Sequence, residues 1–519
     1  MLKETLQQLP VRLLRCRAKQ RFTLTIVFHP DLNRIGQQCR PETNSIEISR
    51  LFPLFGFAGE PLQPLSDPFV SRAPVLLSKQ GDSWRLERKQ SPIQLSDASH
   101  QLIERRDFTA QQLHQGVPVI LAGRIVLLLH LSLDVSADSP DPMGLIGVSD
   151  NLVDVRNTIS KVAPLHSPVL IRGESGTGKE LVAKAIHQQS PRHQHKLVSV
   201  NVAAMPKELI ATELFGSVKG AYTGAVDRKG CFQQADNSSL FLDEIGEASL
   251  EMQVSLLRAL EAGVIQAVGS QHPQQVDVRV ITATDADLQQ LIGDELFRMP
   301  LLQRLAGLVI EILPLRQRAE DIGCLLSYFL QRRLADTAQE NKLHAADQEG
   351  YCYWAWFFAF CCQLQWPGNI RQLQNVVTQL CVGLMGYKTV NQFDWLSFSD
   401  GLAHTAITAL QSQASINEVS SIYTRGKRKP SEITDEEMLT ALENNHWQIK
   451  LAAQALNISR AALYQKMDAS ELVRRVSDIP ATEIERCYLD SRGDMEKMVN
   501  QLHVSKAALK RRLNEMGLN

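Results

Sequence analysis

The sequence predicts a multidomain chain with an N-terminal β-sandwich, a central α/β domain and an all-helical C-terminal region. Short apolar runs such as Phe22 to Phe28 and Ile125 to Leu131, punctuated by Gly, Pro, Asn and Asp, predict the β-rich part. In the central part, strand-like runs such as Val169 to Ile171 and Leu240 to Leu242 alternate with longer helical patterns, which is typical of a mainly parallel sheet. The tail shows helical periodicity and an internal repeat.

Composition restricts the class of protein. The chain has 519 residues, which allows about three or four domains, and 44% apolar with 21% charged residues is an ordinary globular composition. Lys and Arg total 55 against 56 Asp and Glu, so any DNA contact needs a local basic patch. The longest apolar run, Tyr351 to Cys362, is too short to span a bilayer, and the first residues lack a secretion signal. Nine cysteines without a CxxC pair indicate reduced thiols, so we expect a cytoplasmic protein.

Two stretches of altered composition divide the chain. Leu133 to Gly144 contains two prolines and three aspartates, and residues 397–434 are polar, lack periodicity and include a basic cluster before Pro430. We therefore expect a regulatory β-domain over residues 1–135, a central domain over residues 145–385, a linker, and a helical tail.

The tail contains two copies of one small helical unit. Leu456, Ile458, Ser459, Ala461, Ala462, Leu463 and Met467 recur 46 residues later as Leu502, Val504, Ser505, Ala507, Ala508, Leu509 and Leu513. Seven matched positions at one offset predict units at residues 435–470 and 481–519.

A Gly-rich turn between a strand and a helix predicts a phosphate-binding loop. Val169 to His187 reads VLIRGESGTGKELVAKAIH, and its three loop glycines let backbone N–H groups converge on phosphate oxygens at a helix N-terminus. Lys179 would supply a point charge for the terminal phosphates, although Glu180 stands where the strict pattern has Ser or Thr. Taken alone, the motif leaves a plain Gly-rich turn as the alternative.

A second motif supports nucleotide hydrolysis. The apolar run Leu240 to Leu242 ends in two carboxylates, of which Asp243 suits a Mg²⁺ ion and Glu244 suits the orientation of an attacking water. The alternative is that the two acids only cap a helix. Together with the Gly-rich loop, they predict a site that binds and hydrolyses ATP.

Five motifs in one order resemble those of the sigma-54-dependent transcription activators, the NtrC-like bacterial enhancer-binding proteins. They are GESGTGKE from Gly173, ELFGSVKGAYTGA from Glu213, LFLDEIGE from Leu240, LPLRQRAEDI from Leu313 and WPGNIRQL from Trp366. General AAA+ machines share the phosphate loop but not the GAFTGA insertion that GAYTGA resembles. The resemblance implies a ring-forming AAA+ ATPase, a hexamer with a small helical lid at about residues 315–385, that uses ATP and Mg²⁺ to remodel the closed complex of sigma-54 RNA polymerase.

The resemblance also implies roles for individual residues. Asn201 matches an asparagine that restrains the catalytic glutamate, Glu244, until the loops engage. Arg298 and Arg304 match two arginines that act across the subunit interface on the transferring phosphoryl group, and plain surface charge is the alternative. The implied ATP contacts are Gly173, Glu174, Ser175, Gly176, Thr177, Gly178, Lys179, Glu180, Asp285 and Arg371. The implied sigma-54 contacts are Gly220, Ala221, Tyr222, Thr223, Gly224 and Ala225.

Three positions depart from the family pattern. Asp285 replaces an asparagine, and because an aspartate cannot donate an amide and adds negative charge near the γ-phosphate, we expect slowed or retuned hydrolysis. Tyr222 replaces a phenylalanine, which is a mild change. The aromatic run Tyr351 to Cys362 stands where an amphipathic lid helix is expected, and our interpretation is a core helix, with a partner surface as the alternative.

The first tail unit, Ala441 to Met467, resembles the Fis-type helix-turn-helix that ends many members of this family. Its expected DNA contacts are Ser459, Arg460, Tyr464 and Lys466. The second unit carries basic residues suited to phosphate contacts, namely Lys506, Lys510, Arg511 and Arg512. The alternative for the second unit is a dimerisation helix pair. Upstream enhancer DNA is therefore an expected partner.

The N-terminal part resembles, more distantly, a forkhead-associated (FHA) domain. DPFVSRAPVLL from Asp67 is similar to that fold's VSRxHAxI strand, but Gln37 and Pro74 replace its loop arginine and its histidine. Loss of the arginine removes the strongest charge-assisted donor, so phosphothreonine binding is not expected, whereas a regulatory protein partner is. Two other functions remain open for the whole chain: a different AAA+ remodeller, and a DNA-binding regulator whose ATPase has decayed.

Overall fold

The computed structural model describes residues 20–133, 142–206, 209–221, 226–344, 348–402 and 434–444, and parts of the segment from 452 to 513. The chain divides into two compact units, Met1–Ile407 and Thr408–Asn519. Among the helices of these described residues, none combines the length and the hydropathy that a membrane span requires.

The first unit begins with two antiparallel sheets. Their strands and one short helix are β1 (Gln20–Phe28), β2 (Gln38–Cys39), β3 (Ser45–Ile48), β4 (Val75–Gln80), β5 (Ser83–Glu87), β6 (Leu95–Ser96), β7 (Arg105–Phe108), α1 (Ala110–Gln115), β8 (Val117–Leu121) and β9 (Ile125–Leu133). Strands β2-β1-β9-β8-β6 form one sheet and strands β3-β4-β5-β7 form the other. The predicted strands at residues 22–28 and 125–131 are confirmed as β1 and β9.

The five-stranded sheet is buried on both faces. Strands β1 and β9 pair from Gln20 opposite Leu133 to Phe28 opposite Val126, with one register shift between Ile26 and Phe28. Because side chains alternate along a strand, Leu127 and Leu129 enter the core shared with the four-stranded sheet, whereas Val126 and Leu128 enter a separate core. This explains why β9 is a continuous apolar run and not an alternating one.

The central part is the predicted α/β domain with a parallel sheet. Its strands are β10 (Val169–Arg172), β11 (Val198–Asn201), β12 (Ser239–Asp243), the hairpin strands β13 (Val264–Ile265) and β14 (Gln274–Gln275), β15 (Arg279–Thr284) and β16 (Leu308–Glu311). The five-stranded sheet has the order β11-β12-β15-β10-β16, and each neighbouring pair is parallel. The carboxyl ends of β10, β12 and β15 therefore meet at one edge, which brings the phosphate loop, the two acids and Asp285 together.

Helices cover both faces of this sheet. They are α2 (Asp150–Val162), α3 (Lys179–Gln188), α4 (Ile210–Phe215), α5 (Cys231–Gln234), α6 (Leu250–Ala262), α7 (Leu288–Gly293) and α8 (Met299–Leu305). Two hydrophobic cores result, one on each side of the sheet, so that Leu240 and Leu242 of β12 belong to one core and Phe241 to the other.

Three longer helices form the lid: α9 (Glu320–Asp336), α10 (Gln348–Gln363) and α11 (Asn369–Leu384). Helical structure continues at residues 395–402, past the expected end of the lid at residue 385. The aromatic run lies on α10, where Trp354, Phe357 and Phe358 have no exposed surface. The interpretation of this run as a core helix is therefore confirmed.

The aromatic helix packs between the lid and the N-terminal sheet. Its hydrophobic core contains residues of α9 and α11 together with Phe28, Val126 and Leu128 of the N-terminal strands. The rings of Phe28 and Phe358 lie 4.8 Å apart, and Trp356 donates its indole N–H to the carbonyl of Ala98 at 2.9 Å. The N-terminal domain and the lid thus share one core.

Polar contacts link the same parts of the unit. The buried carboxylate of Asp321 on α9 accepts hydrogen bonds from the backbone N–H groups of Val148 and Ser149, at 2.6 and 2.7 Å, just before α2. Arg124, next to β9, lies 4.3 Å from the ring of Phe69 and 4.4 Å from the ring of Tyr351 on α10. The lid is thereby held to both the N-terminal domain and the α/β domain.

The second unit is helical in its described residues. Helices α12 (Asp435–Asn444) and α13 (Ala481–Asp490) are described in full as backbone elements. The two sequence repeats contribute to one hydrophobic core, because Ala452 and Leu463 of the first copy cluster with Met498 and Leu509 of the second. Each of these pairs is separated by the repeat offset of 46 residues.

Candidate functional site

The phosphate loop joins β10 to α3 and is shaped by glycines. Gly178, with φ of 104°, precedes α3, which begins at Lys179 without a side-chain cap. Gly176 has φ of 78°, and a Cβ atom there would collide with the carbonyl oxygen of Gly368 in the lid. Only glycine satisfies both demands at this position. The uncapped helix start leaves backbone donors directed at the loop, as an anion site requires.

Lys179 connects the phosphate loop to the acidic strand end. Its ammonium group is buried, with 6% of the side chain exposed, and donates to the carbonyl of Gly173 at 2.9 Å. The same group lies 3.5 Å from the carboxylate of Glu244. The sequence prediction that Lys179 and Glu244 share one site agrees with this arrangement.

Three carboxylates lie at this edge of the sheet, and two of them, Asp243 and Glu244, interact with the lysine. Asp243 ends β12, and burial raises the pKa of its carboxyl group, an effect that Lys179 opposes. Glu244 follows in the left-handed conformation, with φ of 54°. Burial raises the pKa of the Glu244 carboxyl group as well, and a hydrogen bond to the exposed side chain of Asp285 adds to the rise, while Lys179 lowers it. Asp285 therefore acts directly on the predicted catalytic glutamate.

The lid supplies the other wall of the site. Arg371 donates to the hydroxyl of Ser175 at 3.1 Å, which places the predicted sensor arginine at the phosphate loop. Arg316, Arg318 and Asn369 also contact the loop, and the sequence reasoning assigned none of them a role. Arg316 and Arg318 stand in the motif LPLRQRAEDI, and Asn369 stands in WPGNIRQL two residues before Arg371, so membership in these motifs was the available signal.

Two other predicted residues have clear local surroundings. Asn201 ends β11, directly opposite Asp243 in the parallel register, and its carboxamide oxygen accepts from the backbone N–H of Ala204 at 3.2 Å. Glu180 lies on the exposed face of α3 and pairs with Lys184 at 2.8 Å. The restraining role of Asn201 and a nucleotide contact of Glu180 stay predictions.

The two predicted interface arginines lie at opposite ends of α8 and are exposed. Arg298 precedes the helix, and its backbone N–H donates to Gln253 at 2.8 Å. Arg304 lies on its last turn, 3.4 Å from Glu261. Exposure of both side chains is what action on a neighbouring subunit would require.

A backbone bridge joins the residues that flank the GAYTGA segment. Ser217 pairs with Arg228 through this bridge, and Ser217 also donates its hydroxyl hydrogen to the carbonyl of Val226 at 2.9 Å. Lys219 donates its backbone N–H to Asp227 at 2.7 Å. Gly220 and Ala221 are the last described residues before residue 222. Tyr222, Thr223, Gly224 and Ala225 lie outside the described residues.

The structure describes two of the eight predicted DNA contacts in the tail. Lys466 lies 2.9 Å from the carboxylate of Asp435 on α12, so its ammonium group has a partner within its own unit. Arg512 is half-buried. The remaining predicted contacts lie outside the described residues: Ser459, Arg460, Tyr464, Lys506, Lys510 and Arg511.

Comparison with known families matches three segments of the chain. Residues 145–311 match the Sigma-54 interaction domain, residues 316–391 match an AAA+ ATPase lid domain, and residues 431–469 match the Bacterial regulatory protein, Fis family. These matches confirm the predicted central domain, its lid and the C-terminal helix-turn-helix.

Individual relatives agree with these matches. The DNA-binding transcriptional regulator NtrC of Escherichia coli K12 is 43% identical over 249 residues, which are 48% of this chain and 51% of that protein. The transcriptional regulatory protein ZraR of Klebsiella oxytoca is 38% identical over 345 residues, 66% of this chain and 72% of that protein. The crystal structure of NtrX from Brucella abortus in complex with ADP is 27% identical and covers 63% of this chain and 69% of its own, with a TM-score of 0.43, too low for a detailed comparison of folds.

The chain thus spans about half the length of the NtrC relatives that it matches and almost three quarters of the ZraR relative. The resemblance drawn from the five ordered motifs is confirmed. This chain belongs to the family of sigma-54-dependent AAA+ transcription activators.

Proposed function

We propose that this protein is an ATP-hydrolysing transcription activator that binds upstream enhancer DNA and remodels the closed complex of sigma-54 RNA polymerase. The observation that carries the proposal is the position of Lys179, which lies between the phosphate loop and Glu244 at the carboxyl edge of the parallel sheet. A buried cation beside an uncapped helix start suits triphosphate oxygens, and a carboxylate next to it suits the orientation of a water molecule.

ATP would bind between the phosphate loop and the lid. Lys179 would contact the terminal phosphates, and Arg371, which now holds Ser175, would reach the phosphates from the lid side. Asp243 fits Mg²⁺ because its partly buried carboxylate ends the strand next to the loop, and Mg²⁺ commonly takes one carboxylate together with substrate phosphates. Bound Mg²⁺ would neutralise charge that develops on the phosphates. Glu244 would orient the attacking water.

Hydrolysis would depend on assembly into a ring, which we propose is a hexamer. The exposed guanidinium groups of Arg298 and Arg304 would complete the site of the neighbouring subunit. A guanidinium supplied by a second subunit stabilises the transferring phosphoryl group, so that an isolated subunit hydrolyses ATP slowly.

The N-terminal domain would regulate the ATPase, and the C-terminal helices would bring the protein to its DNA site. The two N-terminal sheets would form an FHA-like β-sandwich that binds a regulatory protein. The whole protein would act in the cytoplasm. The Fis-type helices would read upstream DNA with Arg460 and its neighbours, and the second repeat would add phosphate contacts that carry no sequence preference.

The test compares two substitutions on the full chain. Lys179→Ala should abolish ATP turnover and leave DNA binding intact, because the lysine lies between the phosphate loop and Glu244 and not in the helical tail. Thr223→Ala should keep ATP turnover and DNA binding and lose open-complex formation, because a loop of this kind suits contact with sigma-54. ATP hydrolysis, DNA binding and sigma-54-dependent transcription are measured on one preparation of each variant.

Each alternative predicts a different result. A wild type that hydrolyses ATP but neither binds upstream DNA specifically nor supports sigma-54-dependent transcription would indicate a different AAA+ remodeller. Normal sigma-54-dependent transcription from Thr223→Ala would show that the loop is only a structural turn. Absence of phosphate release from the wild-type protein, with DNA binding retained, would indicate a decayed ATPase, the reading that Asp285 beside Glu244 favours.

A further inference from the structure

An ion pair joins the phosphate loop to the base of the lid. Glu174 is the second residue of the loop, and its two carboxylate oxygens accept hydrogen bonds from the two terminal nitrogens of Arg316, at 2.8 and 2.6 Å. This two-point geometry is the strongest form of the arginine–carboxylate contact. The contact with Arg316 is also the main reason that the pKa of the Glu174 carboxyl group lies below its usual range.

A buried asparagine fixes this pair in place. Asn369, at the start of α11, donates its carboxamide N–H groups to the carboxylate of Glu174 at 3.2 Å and to the carbonyl of Ser175 at 3.0 Å. Its carboxamide oxygen accepts the backbone N–H of Leu315 at 2.8 Å. Asn369 is fully buried and has φ of 51°, a conformation that asparagine tolerates better than most residues.

The asparagine therefore joins three segments. Its contacts reach the phosphate loop, the turn Leu315–Gln317 that carries Arg316, and the start of α11. The backbone N–H of Ile370 adds a hydrogen bond to the carbonyl of Gly176 at 2.9 Å. The loop is thus held by contacts on four successive residues, Glu174, Ser175, Gly176 and Thr177, all made by residues of the lid or its connecting turn.

We propose that Arg316 and Asn369 are positioning residues that hold the phosphate loop, through Glu174, in the conformation that receives ATP. The proposal rests on the proposed ATPase function. Neither residue is assigned to the phosphates. Their effect is to order the loop before the nucleotide arrives, so that binding does not incur the entropic cost of ordering it. Losing them should raise the Kd and the KM for ATP far more than it lowers kcat.

The experiment is a double-mutant cycle on the full chain. Glu174→Gln, Arg316→Gln and the double variant are compared with Arg333→Gln, which breaks an ion pair of α9 to Asp336 at 3.5 Å without reaching the loop. The measurements are the Kd of a fluorescent, non-hydrolysable ATP analogue, kcat and KM for ATP, and the Tm. We expect each loop substitution to raise Kd and KM about tenfold, the scale of one charge-assisted hydrogen-bonded pair, with kcat within about threefold.

The double variant should be no worse than either single variant, because the second substitution removes a partner that is already unpaired. The Kd of Arg316→Lys should lie between those of the wild type and Arg316→Gln, since lysine keeps the positive charge and loses the two-point hydrogen bond to Glu174. Arg333→Gln should bind ATP normally. If Arg333→Gln and Arg316→Gln lower the Tm equally, a higher Kd in Arg316→Gln alone reports the loss of loop positioning and not a loss of stability.

A rescue addresses Asn369. Asn369→Asp keeps the acceptor for Leu315 and places a carboxylate against Glu174, so Kd should rise by more than about tenfold through like-charge repulsion. Adding Glu174→Gln should then lower Kd again, though not fully to the value of Glu174→Gln alone, because Asn369→Asp also removes the donor to the carbonyl of Ser175.

The proposal is overturned if Arg316→Gln binds the analogue like Arg333→Gln, if the losses of the double variant add, or if kcat collapses while KM stays constant. A wild-type protein that binds no ATP analogue would contradict the proposed function itself. Normal wild-type binding with unaffected loop variants would contradict only the positioning role.

Discussion

Asp285 brings a carboxyl group against Glu244 at the place where the family pattern has an asparagine. Its hydrogen bond and its charge both raise the pKa of the Glu244 carboxyl group, after the larger effect of burial. In our proposal, a carboxylate at this position would also add negative charge near the γ-phosphate of ATP. Asp285 should therefore reduce the rate of hydrolysis and leave the fold of the sheet unaffected.

Asp285→Asn should raise kcat for ATP by about fivefold, roughly 1 kcal/mol of barrier, because an amide removes the repulsion and can donate a hydrogen bond. The measurement is steady-state phosphate release at saturating ATP. Asp287→Asn is the matched control for loss of a neighbouring carboxylate, since Asp287 caps α7 through the backbone N–H groups of Gln289 and Gln290, pairs with Arg172 at 4.0 Å, and has no proposed catalytic role. A kcat for Asp285→Asn at or below that of the wild type would contradict the expectation.

His130 is a buried histidine in β9. Its ring lies 2.8 Å from the hydroxyl of Thr25 on β1, and burial, with a contribution from Arg40, lowers its pKa to about 4. The unfolded chain would hold this histidine with a pKa near 6.5. As the pH falls below about 6.5, the unfolded state therefore takes up a proton before the folded state does, and stability is lost until the pH reaches about 4.

Between pH 7 and pH 5, the free energy of unfolding of the wild type should fall by about 2 kcal/mol more than that of His130→Gln. Glutamine keeps a polar partner for Thr25 and does not titrate. Denaturant unfolding of both proteins at the two pH values measures the difference, and titrations common to both proteins cancel. Parallel losses of stability in the two proteins would show that His130 does not titrate as its burial indicates.

At the residue scale, the sequence identified functional residues that are neighbours in the chain as well as in the site. The glycines of the phosphate loop, Lys179 and the two acids could be identified because each follows directly on an apolar strand. The ion pair between Glu174 and Arg316 could not, because 142 residues separate its partners and each could equally have faced solvent. The Asp435 partner of Lys466 was missed for the same reason.

At the scale of elements, the contact between helix α10 and strand β9 explains why both are so apolar. The aromatic residues of α10 cover the face of the N-terminal sheet that points away from the β-domain core, and Val126 and Leu128 are the side chains that they cover. Trp356 is central to this contact, because it stacks on His100 at 5.5 Å and donates to Ala98.

Trp356→Ala should open this interface, at a cost of about 3–5 kcal/mol for a buried tryptophan. The backbone amides of α10 should then exchange hydrogen faster. Trp84→Ala is the matched control, since it removes a buried tryptophan that stacks on Phe22 at 4.2 Å inside the β-domain. Equal increases of exchange in α10 in both variants would contradict a local role for Trp356.

The periodicity of single elements predicted β1, β9, β10 and β12 but not the contact between β9 and α10. A continuous apolar run indicates burial on both faces, yet it carries no information about which element covers the second face. The run IVLLL of β9 and the aromatic run of α10 were both visible in the sequence, and their common cause became clear only from the shared core.

At the scale of the whole molecule, the proposed ring can be tested by mixing two variants that are each inactive. Lys179→Ala subunits would bind no ATP but would still supply both arginines to the site of a neighbour. Arg304→Ala subunits would bind ATP but would not supply the guanidinium of Arg304 to a neighbour. Each variant alone should be nearly inactive. An equal mixture should regain about a quarter of the wild-type rate, because about one interface in four combines an intact donor with an intact acceptor.

Phosphate release by the mixture, compared with that of each variant alone, is the measurement. A mixture of Lys179→Ala with Arg258→Ala serves as the control, since Arg258 is an exposed arginine on α6 for which no catalytic role is proposed. A mixture of the first two variants that stays as inactive as its components would contradict catalysis across an interface.

The core shared by the β-domain and the lid limits how this protein can be recombined with its relatives. A chimaera that joins residues 20–133 to the ATPase of another activator would leave the outer face of the five-stranded sheet without its aromatic cover, unless α10 were transplanted with it. Conversely, an ATPase part taken from this chain alone would carry an apolar lid surface into water and should aggregate. The exchangeable module is therefore the β-domain together with a helix that lies more than two hundred residues further along the chain.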